Sequence, residues 1–192
     1  MAMTSAARGT RAFGTAAAVW GLFGAAALLL NAVVRLAPVA LEAFAAYRLD
    51  AWQWLLTIGG VAFMGYFEGY RGFQQGFSPR VVVRALHLAR NPRPLHVILA
   101  PLFCMGLIHA SRRRLVASWV LLVSIVGIVL VVRRLPQPYR GIIDVGVVFG
   151  LGWGLVALAA FAWAAIVGSP PRVSPELPHH ESLPARPASP LP

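Results

Sequence analysis

AFGTAAAVWGLFGAAALLLNAVV, residues 12–34, is a run of 23 residues without one charged side chain, and its reading decides the fold class. As an α-helix it is about 34 Å long, enough to cross a hydrocarbon core of about 30 Å. Arg8 and Arg11 precede it, as in a signal sequence. The run is nevertheless longer than the 7–15 apolar residues of a cleaved signal, so it reads as a retained first span. Four more apolar segments follow, at 51–67, 95–110, 115–132 and 142–167.

The whole chain agrees with that reading. Its 192 residues are 58% hydrophobic and 12% charged, with a mean hydropathy of +0.70. A water-soluble domain carries about 25% charged residues, so this chain lacks the polar groups to cover itself in water and lipid must cover it instead. The expectation is an all-α integral membrane protein, a bundle of four to five transmembrane helices over residues 12–168. A short basic segment, 1–11, precedes it. A proline-rich tail, 169–192, follows and is expected to be disordered, since a segment so rich in proline and poor in apolar side chains cannot build a core.

The basic residues number 17 against 6 acidic ones. All are arginine, and most stand at the ends of the apolar runs, where they anchor helices and set orientation. No basic stripe stands apart from the hydrophobic segments, which argues against nucleic acid as a partner. The partner implied is a bilayer with anionic headgroups. The lone Cys104 excludes an intrachain disulfide and reads as a small core hydrophobe.

Segment 95–110 is the ambiguous one. It holds Pro101 and would be about 24 Å long as a helix, short of the membrane core. If it dips in and returns to the same side, 12 arginines fall on the N-terminal side and 5 on the other. If it crosses, the division is 10 to 7. Both counts put the N-terminus in the cytoplasm of a multi-pass cell-membrane protein, and the first does so more strongly.

Residues 63–90 carry most of the remaining information. At helical spacing, Phe63, Tyr66, Phe67, Tyr70, Phe73 and Phe77 share an arc of about 120°, with Gly65, Gly69, Gly72 and Gly76 opposite. Two residue classes keeping one period predict that the second span continues as a helix past Phe67. Glu68, Arg71 and Gln75 lie together on a flank, and Glu68 and Arg71 have the i,i+3 spacing of an interfacial ion pair. That flank is the candidate polar site. Ser78-Pro79 starts a further helix, a cytoplasmic amphipathic one lying in the interface over 79–90. Arg80, Arg84, His87 and Arg90 share one side, and Arg80, Arg84 and Arg90 are expected to meet anionic lipid.

Gly146, Gly150 and Gly154 form a glycine face, and Ala17, Gly21 and Ala25 repeat the spacing in the first span. Small residues at this interval let membrane helices approach closely, within the chain or between copies. Asp144 follows Arg140 by four residues near a helix start, where dipole and neighbour both stabilise it. His96 and His109, 13 residues apart at opposite ends of one segment, are expected not to share a haem, and the flexible His179-His180 pair makes a poor metal site. No HExxH, GxSxG, P-loop or CxxC pattern occurs, and Glu68 and Asp144 alone bring carboxylates close to the spans. No enzyme, metal or cofactor is expected. The pattern points to a non-catalytic accessory, assembly or scaffold subunit, partnered by another membrane protein or by its own copies. The alternative is an oligomeric small-molecule or ion transporter or channel working around Glu68.

Overall fold

The computed structural model describes residues 2–178, with side chains from residue 12 onward. Among these residues every regular element is helical. Helix α1 spans Ala2–Ala46, α2 Ala51–Met64 and α3 Ser78–Arg90, with a π-helical stretch, Gly65–Phe77, joining α2 to α3 without a break. Two short helices, α4 (Pro94–Ile98) and α5 (Ala100–Cys104), lead to α6 (Arg112–Val132) and α7 (Tyr139–Ile166).

Three stretches are long and apolar enough to cross a membrane: Ala12–Ala46, Arg112–Val132 and Tyr139–Ile166. The first is longer than the expected span 12–34. It runs through Arg35 and Pro38 to Ala46, because proline at one position removes a single backbone donor and need not end a helix held by its neighbours. The turn after it is closed by a capping box. The Asp50 carboxylate accepts from the Gln53 N–H at 2.7 Å and the Gln53 carboxamide accepts from the Asp50 N–H at 3.1 Å, so two orphan donors at the start of α2 are satisfied reciprocally.

Segment 95–110 is not one helix. Pro94 and Pro101 each open a five-residue turn of helix, and Gly106, at φ +77, turns the chain back. The His96 and His109 rings consequently meet, with centroids 4.4 Å apart. The two ends of the segment lie side by side, which replaces the straight-segment picture in which these histidines are far apart.

Long helices α1, α2–α3 and α7 pack together, with α7 starting where α1 ends. Gly141 admits the side chain of Ala43 and the carbonyl of Val39 at that crossing. Gln137 ties the same corner, donating to the Val39 carbonyl and accepting from the Gly141 N–H, each at 3.1 Å. At the other end a core forms from Ala17, Ala18 and Ala25 of α1, Val81, Val82, Ala85 and Leu88 of α3, Phe103 and Cys104 of α5, and Leu158 of α7. Helix α3 is therefore enclosed by the bundle rather than laid on its surface. Gly21 of α1 lies against the Cys104 sulfur and Ala100 of α5, and Gly24 against the Pro101 ring; Ala17 and Ala25 are buried in the same core.

Helix α6 stands apart: none of its residues is buried. Residues 169–178 have no regular structure, yet they do not hang free. Leu177 is 7% exposed within the core, so this part of the expected disordered tail is a seated strap. The remainder, 179–192 with His179-His180, lies outside the described residues.

Candidate functional site

The side chain that organises one end of the molecule is Arg84. It is 2% exposed. Its Nε donates to the Phe103 carbonyl at 2.6 Å, Nη1 to Pro175 at 2.7 Å, and Nη2 to Ile108 and His109 at 2.9 and 3.0 Å. The guanidinium also sits 4.3 Å from the centroid of the Phe103 ring. Burial pushes its pKa down to about 10, partly opposed by Glu176, so it stays charged near neutrality. Five N–H donors in a rigid fork suit this task, whereas a lysine ammonium could not reach the four carbonyls. Arg84 thus fastens three pieces together: α3, the folded-back segment 94–111, and the strap. It does not meet headgroups as expected, because the segment and the strap cover the basic side of α3.

Arg80 and Arg90 divide differently. Arg90 is exposed. Arg80 donates to the Gly76 carbonyl and pairs through Nε with Glu176 at 3.5 Å. Arg114, at the start of α6, approaches the other oxygen of the same carboxylate at 3.6 Å. The strap backbone joins in, its Glu176 carbonyl accepting from the Ser111 N–H at 2.8 Å. Both His109, at φ +47, and Glu176, at φ +49, occupy the left-handed region that side chains seldom adopt. Such strain persists where surrounding contacts over-determine the backbone. Around Phe103, the ring of His96 stacks at 4.7 Å and those of His87 and His109 lie at 6.4 and 6.2 Å. With His96 and His109 in ring contact, no macrocycle fits between them. Among the described residues no group of three or more His, Cys, Asp or Glu is placed to hold a metal ion.

The expected polar flank does not converge. Arg71 and Gln75 are exposed, while Glu68 is half-buried against α7. A methyl group built on Gly150 would lie 2.7 Å from a Glu68 carboxylate oxygen. No Glu68–Arg71 ion pair forms among the described residues, because i→i+5 bonding puts more residues in each turn. Neighbours then lie four and five apart rather than three apart. Glu68 lies against Gly150, near the middle of α7 rather than at its end.

The same widened helix splits the glycine and aromatic stripes. Gly65 and Gly69 face Phe149 and Trp153 of α7, whereas Gly72 and Gly76 face only residues of their own helix. On α7, Gly146 receives Gly60 and Met64, Gly150 receives Glu68, and Gly154 receives Phe73. Phe73 follows Glu68 by five residues, one π-turn, and so meets the next glycine in line. Phe63, Tyr66, Phe67 and Tyr70 remain outside as an aromatic ladder. Gln74 accepts from the Trp153 indole N–H at 2.8 Å, a polar tie that the sequence did not suggest. Asp144 is 4% exposed and pairs with Arg140 at 3.7 Å.

Sequence reasoning passed over Glu176 and placed Arg84 on the wrong surroundings. Glu176, one of two acids in the proline-rich tail, gives no local signal, and only the local excess of arginine hints that it has a destination. No protein-family model matches the chain, and neither a curated protein nor a solved structure is detectably similar to it.

Proposed function

We propose that the protein is a non-catalytic multi-pass membrane subunit that holds another membrane protein, and that α6 is the helix it offers. The observation that carries this reading is α6 itself. It has the highest mean hydropathy of the three candidate spans, 2.9, with 0% of it buried inside the chain. Beyond its first two turns, which meet residues 106–107 and the strap, this span lacks a neighbour in its own chain and has its side free for one from elsewhere. Membrane helices associate through small residues that let backbones approach. Ser124 and Gly127 lie at i,i+3 on α6, and a Cβ at Gly127 would meet nothing within 4 Å. The glycines at 65, 69, 146, 150 and 154, by contrast, are already filled by the chain's own side chains.

The finer topology belongs to the same proposal. The continuous helix Ala51–Phe77 runs beside α7 and makes a fourth crossing, while segment 94–111 folds back without crossing. Both chain ends then lie in the cytoplasm of a cell-membrane protein, with the 12-to-5 arginine division supporting that orientation.

Purification from the native host in mild detergent tests the reading. A stoichiometric membrane partner is expected with the parent chain and is expected to be lost from Gly127→Leu, with thermal unfolding of the two proteins unchanged. Absence of any partner, or its retention by the variant, would defeat it. A homo-oligomer sensitive to the same substitution would make the partner a second copy.

One observation favours a second reading. Glu68 is an acid half-buried at mid-depth beside α7, and an ionisable group there is a functional candidate by default. In that reading the protein moves protons or small cations past Glu68. Flux into vesicles reconstituted with Glu68→Gln should then fall at least tenfold, and unchanged flux removes this reading.

A further inference from the structure

The strap closes over more positive charge than it neutralises. Among the described residues, Arg80 and Arg114 share a single carboxylate, Glu176, and Arg114 lies close enough to Arg80 and Arg84 for repulsion. Arg112 and Arg113 are exposed in the same first turn of α6 as Arg114, and that turn contains no acid. The Glu176 contacts are loose. At 3.5 and 3.6 Å from the Nε atoms, they exceed the 2.7–2.9 Å of charge-assisted hydrogen bonds. One planar carboxylate is stretched between two guanidiniums on different helices and fully engages neither. A tetrahedral phosphate, with more oxygens and up to twice the charge, could accept from both forks.

The carboxylate is also on a piece of chain outside the helices. Residues 169–178 have no regular structure, Glu176 is held at φ +49, and the side chains of Arg80, Arg114 and Glu176 remain 32%, 23% and 34% exposed. A ligand can therefore reach the arginines without opening the core, and the strap relaxes its backbone on leaving.

We propose that Arg80 and Arg114 form a phosphate-binding site, and that Glu176 is an internal substitute ligand that keeps it shut until a phosphate-bearing anion displaces the strap. The site stands at the first turn of an apolar helix, so a lipid headgroup and a free phosphate share the required chemistry. The proposal does not depend on what α6 binds.

The test uses the full chain with Leu177→Cys in a Cys104→Ala background, because Leu177 is buried only while the strap is seated. Maleimide labelling of the introduced thiol is followed in neutral detergent, with inorganic phosphate added, and in nanodiscs of phosphatidylcholine with or without phosphatidic acid. Phosphate or phosphatidic acid should speed labelling at least tenfold. A response to phosphate in detergent identifies a free anion as ligand, and a response confined to phosphatidic acid identifies a headgroup. Glu176→Gln should lower the half-saturating anion concentration about tenfold, and Arg80→Gln with Arg114→Gln should abolish the response to anion. Labelling that no anion changes, or an anion response that survives loss of both arginines, overturns the proposal. The first of these outcomes needs no substitution in the site, so the test stands even if the arginine variants fail to fold.

Discussion

Arg84 shows how far a residue's sequence context reaches. Helical spacing correctly groups it with Arg80 and His87 on one side of α3, but spacing says nothing of what covers that side. The cover comes from residues 103–109 and from Pro175, up to 91 positions away, and non-local packing leaves no mark on a local period. Arg84→Met keeps much of the volume but strands four carbonyls, and each bond to a charged donor contributes about 1.5–3 kcal/mol. We expect it to destabilise the fold by about 3 kcal/mol or more in thermal unfolding in detergent, with Arg84→Lys only partly better. Glycines give the converse contrast. Leucine at Gly150 would collide with Glu68, and overpacking of this kind costs about 1–3 kcal/mol. Leucine at Gly127 meets nothing and should leave unfolding within about 0.5 kcal/mol of the parent. If both glycines respond alike, the assignment of Gly150 to the interior and Gly127 to the outside is mistaken.

Among the elements, the helix from Ala51 to Arg90 was the most legible and also the most altered. The joint period of aromatics and glycines announces that it continues past Phe67, and it does. That period is an α-helical one, however, whereas residues 65–77 are π-helical. That change of spacing moves Arg71 away from Glu68, turns Gly72 and Gly76 off the α7 contact, and brings Phe73 to Gly154. Nothing local distinguishes the two spacings here. Gly150 and Gly154 of α7, four residues apart, meet Glu68 and Phe73, five residues apart. Gly59 and Gly152 have open space where a side chain would go, so Gly59→Ala and Gly152→Ala should each raise stability, by up to about 1 kcal/mol. Gly69→Ala, which presses on Trp153, should not. Guanidinium or thermal melts of the three variants decide the matter, and a gain at Gly69 would mean that α2–α3 and α7 are farther apart than described.

At the scale of the whole molecule, composition establishes the membrane class and leaves the number of crossings open. The folded-back segment 94–111 was legible as an option, from its length and Pro101, but its closure depends on Arg84 and Gly106 acting together. An enzyme reporter fused after residue 192 should be active only in the cytoplasm if four helices cross, and an external signal would require a fifth crossing or a different pairing. The central claim concerns α6, the span its own chain leaves uncovered. Its most direct test is a photo-crosslinking side chain at Val123, which is 66% exposed on that helix, activated in native membranes. The account predicts one protein adduct of defined mass, absent when Gly127→Leu is also present. Adducts with lipid alone would contradict it.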